Sequence, residues 1–239
     1  MTDVSPRAPV IDVVGLSAWY DECHVLHSID FHVNEGEVVT LLGRNGAGKS
    51  TTMKSLIGIV QRRTGSVRFH DTETIALPSH RIARLGMAFC PEDRGIFASL
   101  SVGENLVLPP VLLPDGMKLN DIYDLFPNLQ ERHASRGWRL SGGEQQMLAI
   151  ARILRTGAKF LLLDDPTEGL APVIVQYIAR TILRLKSAGF TILLVEQNLK
   201  FAQKVADRHY VLESGKMVDE LSRHEAATDK DRLSRYLGV

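Results

Sequence analysis

Short apolar runs alternate with segments of helical spacing through most of the chain. Runs of mostly apolar residues, bounded by turn-forming or charged residues, are typical of buried strands, and they occur at 38–42, 160–163, 190–195 and 210–212. Apolar residues at helical spacing predict helices over 50–59, 141–154, 172–186 and 199–206. Strands that alternate with helices in this way indicate an α/β domain with a mainly parallel sheet.

The N-terminal part follows a different pattern. Residues 1–9 carry two prolines and few apolar residues, which indicates a loose tail. Alternating apolar residues predict strands over 10–16 and 26–33. A turn at 64–66 is expected to lead into a further short strand at 67–69.

The pattern changes again between about residues 79 and 139. Residues 86–90 predict a strand, but most of this region consists of short helical pieces. Ser101 followed three residues later by Glu104 is the sequence pattern of a capping box at a helix start. Prolines at 109, 110 and 114 break the helix that precedes them. We therefore predict a mostly helical insertion here.

The composition excludes several classes of function. Of 239 residues, 44% are hydrophobic and 23% charged, and the formal net charge is zero, so the overall charge favours neither nucleic acid nor an acidic lipid surface. Cys23 and Cys90 form no CxxC or metal-binding pattern, which is typical of idle thiols in a reducing compartment. The N-terminus has no signal pattern, and no apolar run approaches the roughly 20 residues that span a bilayer. Any role at a membrane is expected to come through a partner.

A glycine-rich loop between the first buried strand and the first helix matches the pattern G-x-x-x-x-G-K-[ST]. Its residues, with the one that follows, are Gly43, Arg44, Asn45, Gly46, Ala47, Gly48, Lys49, Ser50 and Thr51. Glycines let backbone amides converge on phosphate oxygens, and the following helix presents the positive end of its dipole. Lys49 is expected to bridge the β- and γ-phosphates and Ser50 to bind Mg²⁺. The alternative is a chance glycine-rich turn, but the order of strand, loop and helix favours nucleotide binding.

The apolar run at 160–163 ends in two acids and a proline. An acid at the carboxyl end of such a strand, here Asp164, lies near the loop serine and helps to hold Mg²⁺. Asp165 is placed where a carboxylate can accept a proton from an attacking water. The alternative for Asp165 is a turn residue before Pro166.

The run at 140–146 predicts a second anion site. Ser141 at a helix N-cap, followed by Gly142 and Gly143, leaves backbone amides open at a helix N-terminus ahead of Glu144 and Gln145. One nucleotide does not need two such sites in one chain. The loop is therefore predicted to cap the γ-phosphate of an ATP held by another subunit; the alternative is an ordinary serine-capped helix.

Together, the segments at 43–50, 140–145 and 160–166 resemble an ABC transporter ATP-binding subunit, over nearly the whole chain. The resemblance implies an α/β P-loop NTPase fold, with a RecA-like parallel core sheet, an antiparallel β subdomain and an inserted helical subdomain. It implies subunits that dimerise head to tail around two ATP molecules. It also makes Tyr20 the aromatic that stacks on adenine, although Tyr20 could be a strand-edge aromatic and Trp19 could be confused with it.

The expected organisation is a tail at 1–9 and a single ABC ATPase domain at 10–239. The helical insertion occupies about 79–139 of that domain, and a C-terminal extension occupies about 216–239.

A finer resemblance is to the second ATPase subunit of branched-chain amino acid importers. It is carried by CPEDRGIF at 90–97, TEGLAP at 167–172, VEQN at 195–198 and YLGV at 236–239. It implies MgATP-driven uptake with a second ABC ATPase, identical or different, two membrane permeases and a periplasmic or extracellular solute-binding protein, and no nucleic acid. The chain would then lie on the inner face of the cell membrane. Importers of urea and short-chain amides have closely similar subunits, so the solute stays open.

Four positions depart from the common ABC pattern. Glu92 replaces a glutamine that contacts Mg²⁺, Ala171 replaces an aspartate, and Gln197 replaces the switch histidine. A carboxylate or amide can still bind metal or phosphate oxygens. Asp165 replaces glutamate and holds its carboxylate back by roughly 1.5 Å, which predicts slow turnover of this chain's own ATP.

Three other functions have less support in the sequence than the importer. The insertion would receive a permease helix near residues 92–97, the alternative being that Ile96, Phe97 and Leu100 pack in the core. A soluble regulator of ribosomes or DNA usually needs a second cassette, a long coiled coil or a basic patch, and none is present. A lipid-export ATPase is the nearer rival. A small GTPase is disfavoured because the chain has no Asn-Lys-x-Asp base-reading motif.

Overall fold

Two β-sheets organise the part of the chain that this computed structural model describes, which is residues 9–229, 232 and 236. In that part the strands are β1 (Pro9–Tyr20), β2 (Cys23–Asn34), β3 (Val38–Leu42), β4 (Arg62–Phe69), β5 (Thr72–Glu73), β6 (Met87–Cys90), β7 (Phe160–Asp164), β8 (Thr191–Val195), β9 (Arg208–Glu213) and β10 (Lys216–Ser222). The helices are α1 (Lys49–Leu56), α2 (Ser79–Arg84), α3 (Val102–Val107), α4 (Leu119–Leu125), α5 (Pro127–Glu131), α6 (Gly142–Leu154), α7 (Pro172–Ser187), α8 (Leu199–Val205) and α9 (Arg223–Thr228).

The larger sheet has the strand order β10-β9-β3-β8-β7-β6 within the described residues. The five strands from β9 to β6 are parallel, and β10 pairs antiparallel with β9. The smaller sheet has the order β2-β1-β4-β5 and is antiparallel throughout. The structure therefore has the α/β core and the antiparallel β subdomain that the sequence predicts.

Strands β3, β7 and β8 are buried at every position because the larger sheet is covered on both faces. Alternate residues enter two separate cores. Leu161 and Leu163 pack with the apolar faces of the helices α6, α7 and α8. Phe160 and Leu162 pack on the other face, with α1 and the antiparallel sheet. This double burial explains the unbroken apolar runs that predicted these strands.

The predicted turn at 64–66 is wrong, because these residues lie inside β4. Gly65 has a φ of +108°, and a Cβ at this position would lie 2.5 Å from the carbonyl oxygen of Gly15. The opposite strand has a register irregularity between Val14 and Ser17. A close approach at a β-bulge, rather than a turn, requires this glycine.

The interval 79–139 contains both sheet and helix. Met87–Cys90 forms an edge strand of the larger sheet beside β7, and the helices α3 to α5 follow it. The predicted capping box is present: the Glu104 backbone N–H donates to Ser101 Oγ at 3.2 Å, and the Ser101 N–H donates to Glu104 Oε2 at 2.7 Å. The strand divides the interval, with α2 (Ser79–Arg84) before it and α3 to α5 after it.

The C-terminal extension contributes elements that the sequence pattern did not predict. Strand β10 buries only Leu221 fully, so its apolar pattern is too weak to indicate a strand. The following helix carries a capping box between Ser222 and Glu225, a signal that was available in the sequence. Most of the expected tail (residues 1–8) and the terminal residues 237–239 lie outside the described part, and Pro9 is the first residue of β1. None of the described helices combines the length and apolar character that crossing a bilayer requires.

A buried polar pair joins β3 to β9. Thr40 Oγ1 lies 2.6 Å from His209 Nδ1, and both side chains are fully buried. Among the described residues His209 Nε2 has no hydrogen-bond partner. Burial lowers the pKa of His209 to about 4, and the charge of Arg223 lowers it further while Asp207 opposes the shift. The imidazole is therefore neutral in the folded protein above that pH.

We predict that His209 makes folding sensitive to acid. Its pKa is depressed in the folded state, so between pH 6.5 and about 4 only the unfolded chain takes up this proton, and stability falls as the pH falls. Between pH 7 and pH 5 the loss through this residue is on the order of 2 kcal/mol. Urea unfolding of the wild type and of His209→Gln at pH 7 and pH 5 measures this effect. On acidification the free energy of unfolding should fall less in the variant than in the wild type, by that amount. Equal losses in wild type and variant would contradict the prediction, and His80→Gln, an exposed position on α2, is the matched control.

Candidate nucleotide-binding and hydrolysis site

The glycine-rich loop leaves the carboxyl end of β3 and enters α1 at Lys49. Two of its glycines are required by packing. A Cβ on Gly43 would lie 2.2 Å from the carbonyl oxygen of Leu212, and a Cβ on Gly48, whose φ is +106°, would lie 2.8 Å from a methyl group of Leu26. The loop is thus pressed against β2 and β9, which fixes its backbone amides around one concave space.

Lys49 is buried within this loop. Its Nζ donates to the carbonyl oxygens of Gly43 at 2.9 Å and Arg44 at 3.1 Å, so the ammonium lies across the loop. Burial lowers the pKa of Lys49, and the surrounding carboxylates, those of Asp165 and Asp164 first, oppose the shift. A buried cation at this point fits an anionic ligand with several oxygen atoms.

Ser50 and Asp164 come together although 114 positions separate them in the chain. Ser50 Oγ donates to Asp164 Oδ1 at 3.0 Å, and the Asp164 carboxylate is almost fully buried at the end of β7. Burial raises the pKa of Asp164 to about 6, and the hydrogen bond from Ser50 opposes the shift. A hydroxyl and a carboxylate are the hard oxygen ligands that Mg²⁺ prefers. Glu92 lines one cavity with Ser50 and a neighbouring cavity with Asp164, so the three side chains together fit a magnesium ion.

The cavity in front of the loop has a volume of about 370 Å³. Segments from several different elements line it, and the lining residues are Val25, Asn45, Gly46, Gly48, Lys49, Ser50, Thr51, Glu92, Asp165, Glu168 and Gln197. The structure therefore brings most of the predicted loop residues together with Glu92, Asp165 and Gln197. It adds Val25 and Glu168, for which the sequence pattern gave no assignment.

Asp165 has a fixed position beside Gln197. Its backbone has a left-handed conformation with a φ of +44°, and its N–H donates to the carbonyl oxygen of Val195 at 3.1 Å. Gln197 Nε2 donates to Asp165 Oδ2, also at 3.1 Å. Burial raises the pKa of Asp165, and the Glu92 carboxylate raises it further against the opposing effects of Gln197 and Lys49. A raised pKa makes this carboxylate a better proton acceptor for a water in the cavity.

The structure separates the two aromatic candidates at the end of β1. Trp19 stacks on the His24 ring, with centroids 4.3 Å apart and planes 8° apart, and Arg62 lies 5.4 Å from its centroid. Tyr20 is the next residue and is 46% exposed. Of these two rings, Tyr20 is the one that no neighbouring ring or guanidinium of the described residues covers. It does not itself line the cavity, although Val25 of the neighbouring strand does.

The residues at 141–145 form a separate site. Ser141 caps α6: the Glu144 N–H donates to Ser141 Oγ at 3.3 Å, and Glu144 Oε2 accepts from the Ser141 N–H at 2.8 Å. This capping box was not predicted, although its S-x-x-E signature is visible in the sequence. Gly143 is required because a Cβ would lie 2.8 Å from Ile174. None of the residues 141–145 lines the cavity in front of the 43–50 loop.

Known proteins of one family resemble this chain over most of its length. The profile of the ABC transporter family matches residues 26–168. A high-affinity branched-chain amino acid transport ATP-binding protein, BraG of Pseudomonas aeruginosa, is 42% identical over 93% of this chain and 97% of its own length. A probable branched-chain amino acid transport ATP-binding protein, LivF of Archaeoglobus fulgidus, is 36% identical over 90% of this chain and 95% of its own. The lipopolysaccharide export ATP-binding protein LptB of Escherichia coli is 34% identical over 94% and 95%.

Solved structures show the same fold. A nucleotide-free ATP-binding cassette from an ABC transporter superposes with a TM-score of 0.83 over 97% of this chain and 99% of its own, at 22% identity. A dimeric bacterial ABC transporter cassette gives a TM-score of 0.78 over 89% of this chain and 98% of its own, at 21% identity.

We predict that Tyr20, and not Trp19, carries the affinity for the base. Stacking of a base on an aromatic ring contributes about 1–3 kcal/mol, so Tyr20→Ala should weaken ATP binding by about 10-fold or more. Trp19→Ala should leave affinity within about twofold, because stacking with His24 and Arg62 already occupies the indole. Equilibrium titration with a labelled ATP measures both. A larger loss in the Trp19 variant would reverse the assignment.

We predict that Asp165 limits turnover of the ATP held by this chain. Asp165→Glu extends the carboxylate by roughly 1.5 Å, and steady-state ATPase activity of the assembled complex should rise by about 10-fold. The left-handed backbone should make the variant less stable, since aspartate tolerates this conformation better than glutamate. Asp21→Glu, at an exposed aspartate with a φ of +49°, controls for that backbone cost. An unchanged rate, or fast hydrolysis by the isolated wild-type chain, would contradict the prediction.

Proposed function

This chain belongs to the ABC transporter family and is an ATPase, and on that premise we propose that it drives uptake of branched-chain amino acids through separate membrane permeases. The observation that carries the proposal is the match to BraG, which spans nearly the full length of both chains. The match to LivF supports the same solute. The roles of the individual site residues below belong to this proposal.

In this proposal each residue of the site has a task. Backbone amides of the 43–50 loop and the Lys49 ammonium hold the phosphates of ATP, and Tyr20 stacks on its adenine. Ser50, Asp164 and Glu92 hold Mg²⁺, which supplies positive charge to the phosphate oxygens when bound. Asp165 accepts the proton of the attacking water.

Gln197 completes the arrangement. Its amide donates to Asp165 Oδ2 and keeps that carboxylate facing the cavity. Glutamine has no titratable group, so it orients the acid or the γ-phosphate but takes no proton.

We propose that two such ATPase subunits, identical or different, face each other head to tail. The capped loop at 141–145 then completes the ATP site of the opposite subunit, which explains why it lies outside this chain's own cavity. Arg94 Nη1 donates to Gln145 Oε1 at 2.8 Å and so joins the segment after Glu92 to the capped loop. The chain's own ATP and its contact with the partner's ATP are thereby physically linked.

The surface near residues 92–97 is proposed to receive a permease helix. Phe97 is 47% exposed, with the Arg152 guanidinium 4.9 Å from its ring centroid, whereas Ile96 packs against the core. The exposure of Phe97 favours the permease contact for that residue, whereas the packing of Ile96 favours the alternative for the latter. Through two permeases of this kind the chain would lie at the inner face of the cell membrane. A periplasmic or extracellular solute-binding protein would deliver solute to the permeases and so act with this chain only indirectly, and no nucleic acid is needed.

Lipopolysaccharide export is the second candidate, favoured by the match to LptB. Importers of urea or short-chain amides are a third, on the sequence resemblance alone. Affinity purification from native membranes should recover two permeases and a second ATPase, and proteoliposomes of that complex with its binding protein should accumulate leucine only with ATP. Uptake of urea or an amide instead, ATPase stimulation by lipopolysaccharide, or recovery of ribosomes or DNA would each overturn the proposal.

We predict that Phe97→Glu separates the ATPase from its permeases. An exposed aromatic that becomes buried in an interface contributes at least about 2 kcal/mol, so recovery of the permeases at limiting concentration should fall by about 10-fold or more. ATP affinity should not change, because Phe97 does not line the nucleotide cavity. Val218→Glu, at a similarly exposed apolar position on β10, is the matched control. Undiminished recovery with Phe97→Glu would place the permease contact elsewhere.

A further inference from the structure

A buried carboxylate ties the two catalytic loops together without touching the nucleotide cavity. Glu196 follows β8 and is 1% exposed. It lies between the strand and Gln197, yet it is absent from the residues that line the cavity.

Both carboxylate oxygens of Glu196 accept hydrogen bonds. Thr167 Oγ1 donates to Oε1 at 2.5 Å, from the loop that carries Asp165. The backbone N–H groups of Gln197 and Asn198 donate to Oε2 at 3.2 Å and 3.0 Å. One side chain therefore joins the loop after β7 to the loop after β8.

A carboxylate is a costly choice for this position. Burial raises the pKa of Glu196 to about 7, and the nearby Asp165 carboxylate also raises it against the hydrogen bonds from Thr167, Asn198 and Gln197. A buried polar group costs free energy unless it is bonded, and an apolar side chain of similar volume would often stabilise the fold as well or better. Simple packing therefore does not account for a glutamate here, whereas ordering two backbone N–H groups and a hydroxyl does.

The hydrogen bonds to Glu196 hold the backbone of Gln197 and Asn198. The Asn198 side chain accepts from the Phe201 N–H at 3.1 Å and so starts α8, which fixes the chain just beyond Gln197. On the other side, the Asp165 N–H is held by the carbonyl oxygen of Val195. With its backbone held at both ends, the Gln197 side chain reaches Asp165 Oδ2.

We propose that Glu196 and Thr167 are positioning residues for ATP hydrolysis, which hold the Gln197 amide against the Asp165 carboxylate. The inference rests on the proposed roles of Asp165 and Gln197 and goes beyond them. Neither positioning residue contacts the nucleotide cavity, so their loss changes the rate of hydrolysis and not the affinity for ATP.

The test is Thr167→Val, which keeps the volume and removes the hydroxyl that Glu196 accepts from. The matched control is Thr181→Val on α7, a similarly buried threonine whose hydroxyl donates to the Tyr177 carbonyl oxygen at 3.1 Å, away from the site. Three quantities are measured on the full chain in its assembled complex: kcat, the Kd of ATP, and backbone amide hydrogen exchange at 197–198. The exchange measurement gives a readout independent of activity.

Thr167→Val is expected to lower kcat by about 10-fold, because a small misplacement at a reacting centre is costly, with the Kd of ATP within about twofold of wild type. Amide exchange at 197–198 should become faster. Thr167→Ser, which restores the hydroxyl, should recover most of the rate. Thr181→Val should change neither kcat nor that exchange, although its melting temperature falls.

Glu196→Leu tests the other member of the pair. It leaves the Gln197 and Asn198 N–H groups and the Thr167 hydroxyl without their acceptor, so kcat should fall at least as far as in Thr167→Val. Combined with Thr167→Val, the two losses should be less than additive in free energy, because both remove one interaction. Additive losses would contradict the pairing of the two side chains.

Two kinds of failure are distinguishable. If Asp165→Asn or Gln197→Ala hydrolyses ATP at the wild-type rate, the proposed catalytic roles are wrong. If those variants lose activity while Thr167→Val keeps kcat within about twofold and shows unchanged exchange, the positioning role is wrong. A Thr167→Val variant that differs from wild type only in melting temperature, as Thr181→Val does, would also overturn it.

Discussion

Parallel pairing of β3, β8 and β7 is the constraint on which the rest of the site depends. Leu41 lies beside Val195, and Val195 lies beside Asp164, so the three strands end at the same level. The loops that follow therefore leave the sheet side by side. They are the phosphate loop after β3, the loop with Gln197 after β8 and the loop with Asp165 after β7. A slip of one residue would exchange the two apolar cores of the sheet and move these side chains away from each other.

Burial at that edge sets the electrostatics of the site. Burial lowers the pKa of Lys49 and raises the pKa of Asp164 to about 6. Each buried charge is therefore stabilised by neighbouring groups of opposite charge rather than by water. Such a set of groups favours a ligand with both signs of charge, an anion on the loop side and a cation at the Ser50 hydroxyl. MgATP has that distribution of charge, so its charges match those of the buried groups at this edge.

The loop at 141–145 lies outside the cavity that the chain encloses. Its helix start is ordered by a capping box between Ser141 and Glu144, and none of its residues lines that cavity. A helix N-terminus with two glycines, placed away from the chain's own site, supports the proposed head-to-tail arrangement, in which one subunit's ATP contacts the other's loop. The hydrogen bond from Arg94 to Gln145 then connects nucleotide occupancy with the partner contact.

Local signals in the sequence determined the buried strands, the phosphate loop and the two acids at the end of β7, because each depends on residues adjacent in the chain. The tertiary structure decided the features that depend on distant partners. Gly65 lies within a strand because it packs closely on Gly15, and β10 forms because β9 supplies its hydrogen bonds. The Trp19 ring is not available to stack on a ligand because His24 and Arg62 pack against it. The bond between Thr167 and Glu196 joins residues 29 positions apart, and only the parallel register of their strands brings them together.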